Sequence, residues 1–400
     1  MKRILFVDDE PKLLEGLQRM LRPQRHEWEM MFASGGEEAL EVLETRAVDV
    51  VITDMRMPGM DGATLLQRVH DRFPGVLRIV LSGYFDVESG LRAVPVAHQF
   101  VSKPCEPEKL KAAIERSTQL SNAWTDEATR KVVSAVGALP SPPKTCALLL
   151  QAVQKPDVSI EAIGRIIDQD VAMTAKVLQL VNSGFFGLPT EVSSVRVAVG
   201  LLGMDVLKQL VLSAGVLKMF HPKRKVAGFS FDVFERHSQL TANIASFLST
   251  EPGGPASGVI AGLLHDTGKL VLATCRPGEF EEAMQRSVEQ DRPLHECEHE
   301  LLGTSHAEIG GYLLRIWGLP ASTIDAICFH HRPMAPGCPA GEFGLRAMIH
   351  LADALAHESL TESPATPPKF PAKSDAGYLG RLGVEHRMPE WRARARQMAV

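Results

Sequence analysis

Histidine and aspartate residues recur in the second half of the chain with spacings that suit metal binding. Imidazole nitrogens mixed with carboxylate oxygens favour Fe, Mn, Ni or Zn over Ca²⁺. Asp266, next to His265, could bridge two metal ions that activate a water between them. Lys269, about one helical turn beyond Asp266, is a candidate phosphate contact. The seven candidate ligands are His237, His265, Asp266, His306, His330, His331 and Asp353.

The same residues also allow an interpretation without catalysis. Each candidate falls within a helix-like segment or at its end, so a helical bundle could bring them together. Buried histidines in such a bundle can simply hydrogen-bond with one another. The sequence leaves both interpretations open. Five further histidines match no ligand position and are predicted to be surface or supporting residues: His221, His295, His299, His350 and His357.

A second set of polar residues follows strand-like runs in the first 120 residues. Asp8 and Asp9 follow RILFV, Asp54 ends VDVVITD, Ser82 follows LRIVL, and Lys103 follows HQFVS. Five such runs alternate with helix-like segments, which predicts a doubly wound parallel sheet. The carboxyl ends of parallel strands form the ligand-binding edge of such a sheet. Three carboxylates gathered there would repel one another unless a hard cation such as Mg²⁺ joined them.

Residues 1–120 resemble the receiver domain of two-component response regulators. The motifs that carry the resemblance are VDDE (7–10), TDMRMPGMDG (53–62), LSGY (81–84) and FVSKP (100–104). The resemblance implies a flavodoxin-like, doubly wound, five-stranded parallel sheet. It also implies that a sensor histidine kinase phosphorylates Asp54. By position, Mg²⁺ would bind Asp8, Asp9, Asp54 and the backbone carbonyl of Arg56, while Ser82, Phe100 and Lys103 would contact or sense the phosphoryl group.

Residues 132–357 resemble the HDOD domain, a relative of the HD superfamily of metal-dependent phosphohydrolases. This resemblance implies an all-helical, HD-like bundle. By position, the HD-type ligands would be His237, His265, Asp266 and Asp353. His306, His330 and His331 match the ligands that are added in HD-GYP enzymes, which cleave cyclic di-GMP. The motifs that carry the resemblance are LPSPP (139–143), VNSGFFGLP (181–189), RHS (236–238), GLLHDTGKLVL (262–272), LLGTSHAEIGGYLLRIWGLP (301–320), HH (330–331) and LAD (351–353).

One departure separates this chain from HD-GYP enzymes. In those enzymes the paired histidines are followed by an acidic, glycine-rich segment that ends in Gly-Tyr-Pro, whereas here RPMAPGCPAGEFG follows. The departure favours an HDOD signalling module that acts by contacting a downstream protein partner. The alternative hypothesis is a receiver-gated, metal-dependent phosphohydrolase.

Length and composition set limits on the class of protein. A chain of 400 residues is long enough for two or three domains. With 45% hydrophobic and 23% charged residues, it has the composition of a globular protein. The predicted domains are a receiver (1–120), a helical linker (121–131), an HDOD domain (132–357, with subdomains 132–220 and 221–357), and a proline-rich excursion with a C-terminal helix (358–400).

Several partners and locations are disfavoured. A net charge of −5 gives no basic field for nucleic acid, and no apolar run approaches the ~20 residues that span a bilayer. The first apolar run ends at Asp8, which argues against a signal peptide. Six cysteines without CxxC pairing indicate a reducing compartment. We therefore expect a cytoplasmic protein with no nucleic-acid or membrane partner, and the sequence leaves homodimerisation open.

Overall fold

The fold is known from a computed structural model of the chain. It describes residues 1–82, 93, 96–103, 107–118, 127–134, 136, 149, 152, 158–182, 192–203, 226–251, 258–317, 319–335, 343–361 and 376–399.

Five parallel strands in the first 102 residues form a sheet with the order β2-β1-β3-β4-β5. All five residues of β3 are buried, as expected for a strand covered on both faces. The register of β1 with β3 pairs Val7 with Thr53, so Asp8 and Asp54 follow at the same edge. The predicted parallel sheet is confirmed. Its strands are β1 (Lys2–Val7), β2 (Trp28–Ala33), β3 (Val50–Asp54), β4 (Leu77–Ser82) and β5 (Gln99–Ser102).

The sequence predicts helices over 11–22, 36–45, 62–72, 86–94 and 107–118, and described helices follow four of the strands. They are α1 (Pro11–Met20), α2 (Gly36–Thr45), α3 (Gly62–Arg72) and α4 (Pro107–Thr118). The sequence predicted that α1 would run to residue 22, but a 3₁₀ helix (Arg22–His26) takes over because Pro23 cannot continue an α-helix. The helix predicted over 86–94 lies outside the described residues, apart from Ala93.

The rest of the described chain is helical, as predicted. No described helix is both long enough and apolar enough to span a bilayer. The helices are α5 (Glu127–Ser134), α6 (Ile160–Ile167), α7 (Val171–Val181), α8 (Phe231–Ser249), α9 (Val259–Leu264), α10 (Thr267–Cys275), α11 (Pro277–Glu289), α12 (Leu294–Leu302), α13 (His306–Ile316), α14 (Ala321–Phe329), α15 (Leu345–Thr361), α16 (Ala376–Leu382) and α17 (Met388–Ala399), with residues 195–203 also helical.

Glycines let the central helices approach each other closely. A Cβ on Gly268 of α10 would lie 1.9 Å from the carbonyl oxygen of His306 in α13. A Cβ on Gly262 of α9 would lie 2.9 Å from Cα of Ala242 in α8. Only glycine permits backbone contacts this close. These two contacts hold the turn between α9 and α10, where Asp266 lies, in the centre of the bundle.

Two predicted domain boundaries fall inside helices. The boundary at 131/132 cuts α5, which packs against α10 and α13 and so belongs to the helical bundle as much as to the linker. The boundary at 357/358 cuts α15, which continues to Thr361. The C-terminal helix α17 packs against α8 and α15 and fully buries Trp391. Sequence periodicity could not show these contacts, because it does not identify the partner of an apolar face.

We expect Gly62→Ala to destabilise the N-terminal sheet domain by about 1–3 kcal/mol or more. A Cβ at this position would lie 2.0 Å from the backbone oxygen of Asp54, so the loop that carries Asp54 must shift. Gly16→Ala in α1 is the matched control: its Cβ meets nothing within 4 Å, so it should be neutral or stabilise by roughly 0.5–1 kcal/mol. Calorimetry of the full chain measures both, and equal unfolding temperatures would contradict the expectation.

Candidate functional site

Lys103 lies between two carboxylates at the carboxyl edge of the sheet. Its Nζ is 2.6 Å from Asp8 Oδ2 and 2.6 Å from Asp54 Oδ1. Burial lowers the pKa of Lys103, but its contacts with Asp54 and Asp8 outweigh this effect and raise the pKa, so the amine stays charged. The Asp8 side chain is almost fully buried, whereas that of Asp54 remains 12% exposed. The ammonium group thus offsets the repulsion between the two carboxylates and leaves Asp54 accessible.

The other predicted receiver residues lie around this contact with different exposure. Asp9 is exposed and, among the described residues, does not join a cluster of three carboxylates close enough to share one ion. The backbone N–H of Arg56 donates to Asp54 Oδ2 at 2.9 Å. Phe100 is buried in β5. Ser82 ends β4, and its side chain lies outside the described part of the structure. The structure therefore brings together two of the three predicted carboxylates and the predicted lysine.

In the helical half, three ligand-type atoms converge from α8, the end of α9 and α15. His237 Nε2 lies 3.2 Å from His265 Nε2 and 3.0 Å from Asp353 Oδ1, and His265 Nε2 lies 3.4 Å from that oxygen. A tetrahedral zinc ion with bonds of about 2.0–2.1 Å would separate its ligands by about 3.3 Å. The three atoms, which we call the first subsite, therefore have the spacing of ligands around one transition-metal ion.

The second subsite consists of Asp266, His306, His330 and His331. His306 Nε2 lies 2.8 Å from His331 Nε2 and 3.3 Å from Asp266 Oδ1. The other oxygen of Asp266, Oδ2, lies 3.3 Å from His265 Nε2 in the first subsite. Asp266 therefore bridges the two subsites, and all seven candidate ligands lie in one cluster.

Hydrogen bonds fix the orientation of three of the imidazole rings. Each ring donates from Nδ1, so its Nε2 faces the cluster and is the atom available to a metal ion. A partner of this kind orients a ligand before a metal binds. The Nδ1 contacts run from His265 to the Gly262 carbonyl at 2.7 Å, from His330 to the Ile327 carbonyl at 2.7 Å, and from His306 to the Glu298 carboxylate at 2.6 Å.

Two buried acceptors face each other without a donor between them. His330 Nε2 and Asp266 Oδ1 are 3.7 Å apart, and neither has a hydrogen-bond partner. An unpaired buried polar group costs roughly 1–3 kcal/mol, and two opposed lone pairs also repel each other. A cation between them would remove both costs. The mixed imidazole and carboxylate donors fit a transition-metal ion better than Mg²⁺ or Ca²⁺.

The electrostatics of the first subsite also favour positive charge. Burial raises the pKa of Asp266, but His265 and Lys269 outweigh it and hold the pKa well below its usual range. Burial lowers the pKa of His265, but Asp266 and Asp353 raise it to about 10. In the second subsite, burial and the neighbouring imidazoles lower the pKa of His331 well below its usual value. His265 therefore attracts a proton or a metal ion, while His331 stays neutral.

A cavity of about 690 Å³ opens beside the two subsites. His331 and Asp353 form part of its wall, together with Lys269. Lys269, the predicted phosphate contact, pairs with Asp266 Oδ2 at 2.6 Å. The lysine is thus held at the cavity wall by the bridging carboxylate. A cavity of this volume is large enough for a small-molecule ligand.

Sequence reasoning missed one buried residue in the cluster. Glu298 of α12 is fully buried and accepts hydrogen bonds from the backbone N–H and Nδ1 of His306, at 2.8 and 2.6 Å. No helical spacing could have linked these two residues, because α12 ends at Leu302 and a turn brings α13 back against it. His357, interpreted as a surface or supporting residue, lies with Nε2 3.4 Å from Asp353 Oδ1. Its i,i+4 spacing from Asp353 on α15 was a usable signal.

Two more of the histidines predicted to lie outside the ligand set contact ligand residues. His350 donates from Nδ1 to the backbone carbonyl of His330 at 2.6 Å. The ring of His295 stacks on that of His331 with centroids 4.6 Å apart. His299 lies 2.9 Å from Glu308. His221 lies outside the described residues.

Comparison with known families agrees with the two halves of the fold. The family model of the response regulator receiver domain matches residues 4–115, and that of the HDOD domain matches residues 139–333. The chain thus joins a receiver domain to an HDOD domain, an architecture similar to that of response regulators. The HDOD match includes His237, His265, Asp266, His306, His330 and His331, and Asp353 lies beyond it.

Known relatives cover this receiver–HDOD chain in part. The MmoQ response regulator of Methylococcus capsulatus is 26% identical, with a TM-score of 0.50, over 65% of this chain and 98% of that structure. An uncharacterised protein of Treponema pallidum is 29% identical over 53% of this chain and 41% of its own length. The hydrogenase transcriptional regulatory protein HoxA of Cupriavidus necator is 34% identical over 31% of this chain and 25% of its own length. The chain thus spans less than half of either curated relative.

We expect Glu298→Ala to destabilise the receiver–HDOD protein by about 3–5 kcal/mol, because it leaves the buried His306 without the carboxylate that pairs with it. Glu296→Ala on the same helix is the matched control: Glu296 is exposed, so its loss should change stability by no more than about 0.5 kcal/mol. Thermal unfolding of the full chain compares the two variants. Equal effects would show that the buried contact does not stabilise the bundle.

Proposed function

We propose that this receiver–HDOD protein is a phosphorylation-controlled regulator, in which a sensor histidine kinase transfers a phosphoryl group to Asp54. The observation that carries the proposal is the contact of one lysine amine with both Asp8 and Asp54, beside an Asp54 side chain that remains 12% exposed. The exposed fraction gives the phosphodonor access to the acceptor oxygen. Such a donor acts in the cytoplasm, where we place the protein.

Mg²⁺ fits this edge as the proposed ion of the receiver. Asp8 and Asp54 contribute carboxylate oxygens, Asp9 adjoins Asp8, and the carbonyl of Arg56 belongs to the loop held by Asp54. Mg²⁺ prefers such oxygen ligands and keeps several waters, so the exposure of Asp9 suits it. A phosphoryl group on Asp54 adds ~−1.5 to −2 charges and three acceptor oxygens. Lys103 is placed to pair with those oxygens.

The HDOD domain is the proposed output. Lys103 follows β5 directly, and the next described helix, α4, packs against α13 of the HDOD domain. A change in the partners of Lys103 therefore acts on a segment that contacts the helical half. We propose that the HDOD surface then changes its affinity for a downstream protein partner.

We expect acetyl phosphate with Mg²⁺ to add one phosphoryl group to the wild-type chain and none to Asp54→Asn. The matched control is Asp61→Asn in the same loop, where the carboxylate caps α3 by accepting from the Thr64 N–H. This variant should still be phosphorylated, because its carboxylate serves as a helix cap and is not the predicted phosphoacceptor. Intact-mass spectrometry measures the product. Equal labelling of Asp54→Asn and wild type would refute the assignment.

A second candidate function is metal-dependent phosphoester hydrolysis in the HDOD domain. The observation that favours it is the bridging position of Asp266 between two subsites with inward-facing acceptors. Fe, Mn, Ni or Zn fits these donors, with His237, His265 and Asp353 holding one ion and His306, His330 and His331 the other. A metal pair supplies Lewis acidity at a phosphoryl oxygen. Lys269, at the cavity wall, is placed to pair with a phosphate oxygen.

We expect purified protein to bind up to two transition-metal ions per chain. Asp266→Asn, which keeps the shape of the bridging side chain but removes its charge, should lose most of this metal. His386→Ala, at an exposed position in the 3₁₀ helix Glu385–Arg387, should keep it. Metal analysis by mass spectrometry, with circular dichroism to confirm folding, gives the result. Equal metal content in a folded Asp266→Asn variant would exclude the metal centre.

Turnover then distinguishes a scaffold from an enzyme. Metal-loaded protein is incubated with cyclic dinucleotides and with p-nitrophenyl phosphate, with Asp266→Asn as the matched inactive variant. Bound metal without hydrolysis supports the protein-interaction module alone. Hydrolysis that is lost in Asp266→Asn supports the phosphohydrolase.

A further inference from the structure

A fully buried arginine joins the receiver sheet to the helix that leads into the HDOD domain. Arg78 of β4 donates from its guanidinium group to the carbonyls of Val76 and Val96 in the receiver, at 2.9 and 2.6 Å. It also donates to the carbonyls of Ser134 and Val136, at 3.1 and 3.0 Å. Burial lowers the pKa of Arg78, but four carbonyl acceptors stabilise the charged form.

Arg78 therefore caps the C-terminal end of α5. The last carbonyls of a helix lack intrahelical partners and carry partial negative charge. A buried guanidinium group at this end donates hydrogen bonds to the carbonyls and offsets their negative charge. Loss of a buried guanidinium partner would leave several carbonyls unsatisfied. The end of α5 is consequently fixed to β4, the strand that pairs with β3 and ends beside Asp54.

α5 also contacts α10, which follows Asp266, and the segment just before α13, which begins at His306. The Thr129 and Thr304 hydroxyls are 2.5 Å apart, and Thr304 lies two residues before His306. α5 also packs against α10, which begins directly after Asp266. The backbones of α10 and α13 touch at Gly268 and His306. A shift of α5 therefore acts on Asp266 and His306 together.

A second contact attaches the HDOD domain to the same end of the sheet. Gln179 of α7 donates from its side-chain amide to the carbonyls of Ala97 and His98, at 3.3 and 3.1 Å. Lys176, one turn earlier, donates to the side chain of Gln179 at 2.9 Å. The HDOD domain thus contacts the amino-terminal ends of β4 and β5, whereas the phosphoacceptor site lies at their carboxyl ends.

We propose that α5 is the element through which the receiver controls the geometry of the two metal subsites, with Arg78 holding it to the sheet and Thr129 holding it to α13. This inference rests on the proposed phosphorylation of Asp54. The strand that ends beside Asp54 begins at the arginine clamp, so a displacement of β4 reaches α5 directly. Thr129 and Arg78 are positioning residues, since neither contacts a candidate ligand side chain.

The test is hydrogen–deuterium exchange of the full chain with Mg²⁺, with and without beryllofluoride as a phosphoryl mimic. In the wild type, beryllofluoride should change exchange in residues 54–62, in α5 and in residues 304–310. An allosteric coupling of ordinary size predicts a change of about fivefold or more in exchange rate. Thr129→Val keeps the shape of the side chain and removes its hydroxyl, so the response in 304–310 should fall to less than half while that in 54–62 persists.

Thr45→Val is the matched control, because the Thr45 hydroxyl is exposed on α2, away from the HDOD domain. It should reproduce the wild-type response. If beryllofluoride leaves residues 54–62 unchanged, the proposed phosphorylation itself fails. If 54–62 respond but 304–310 do not, or if Thr129→Val responds fully at 304–310, the route through α5 is wrong. The readout requires no bound transition metal, so it is independent of the metal hypothesis.

Discussion

A buried carboxylate needs compensating positive charge or donors, and Asp266 imposes this condition on the whole helical half. Its two oxygens face different groups of imidazoles, and Lys269 pairs with one of them at 2.6 Å. This requires the helices that carry His237, His306 and Asp353 to meet at one point. Glycines at 262 and 268 allow the close backbone contacts that make this meeting possible. The buried carboxylate of Asp266 therefore accounts both for how the helices pack and for the chemistry at the centre of the bundle.

In the receiver, a lysine ammonium group likewise offsets the charge of buried carboxylates. Asp8 and Asp54 come close because parallel strands end at one edge, and Lys103 lies between them. At the opposite end of the sheet, Arg78 is buried among carbonyls and carries the contact to α5. Each half is thus organised around a buried charge and its partners. The junction between the halves contains a third buried charge, that of Arg78.

The sequence was informative wherever local spacing reflects local geometry. Alternating apolar runs located all five strands. Local spacing did not show how far two helices extend: α5 crosses the predicted end of the linker, and α15 continues past residue 357. Residue patterns mark an apolar face but not its partner. Whether a helix belongs to a linker or to a core therefore could not be read from them.

The sequence by itself determined the two kinds of domain and the residue types of both candidate sites. It could do so because motifs such as TDMRMPGMDG and GLLHDTGKL contain several functional residues within a short segment. Tertiary structure alone decided that Asp266 faces two subsites, that Glu298 orients His306, and that Asp9 stays outside the Asp8–Lys103–Asp54 contact. These facts depend on how helices cross and on how side chains are oriented, and they involve residues that are far apart in the sequence. The route from Arg78 through α5 to Thr304 belongs to the same class, since it joins residues more than two hundred positions apart only after the chain has folded.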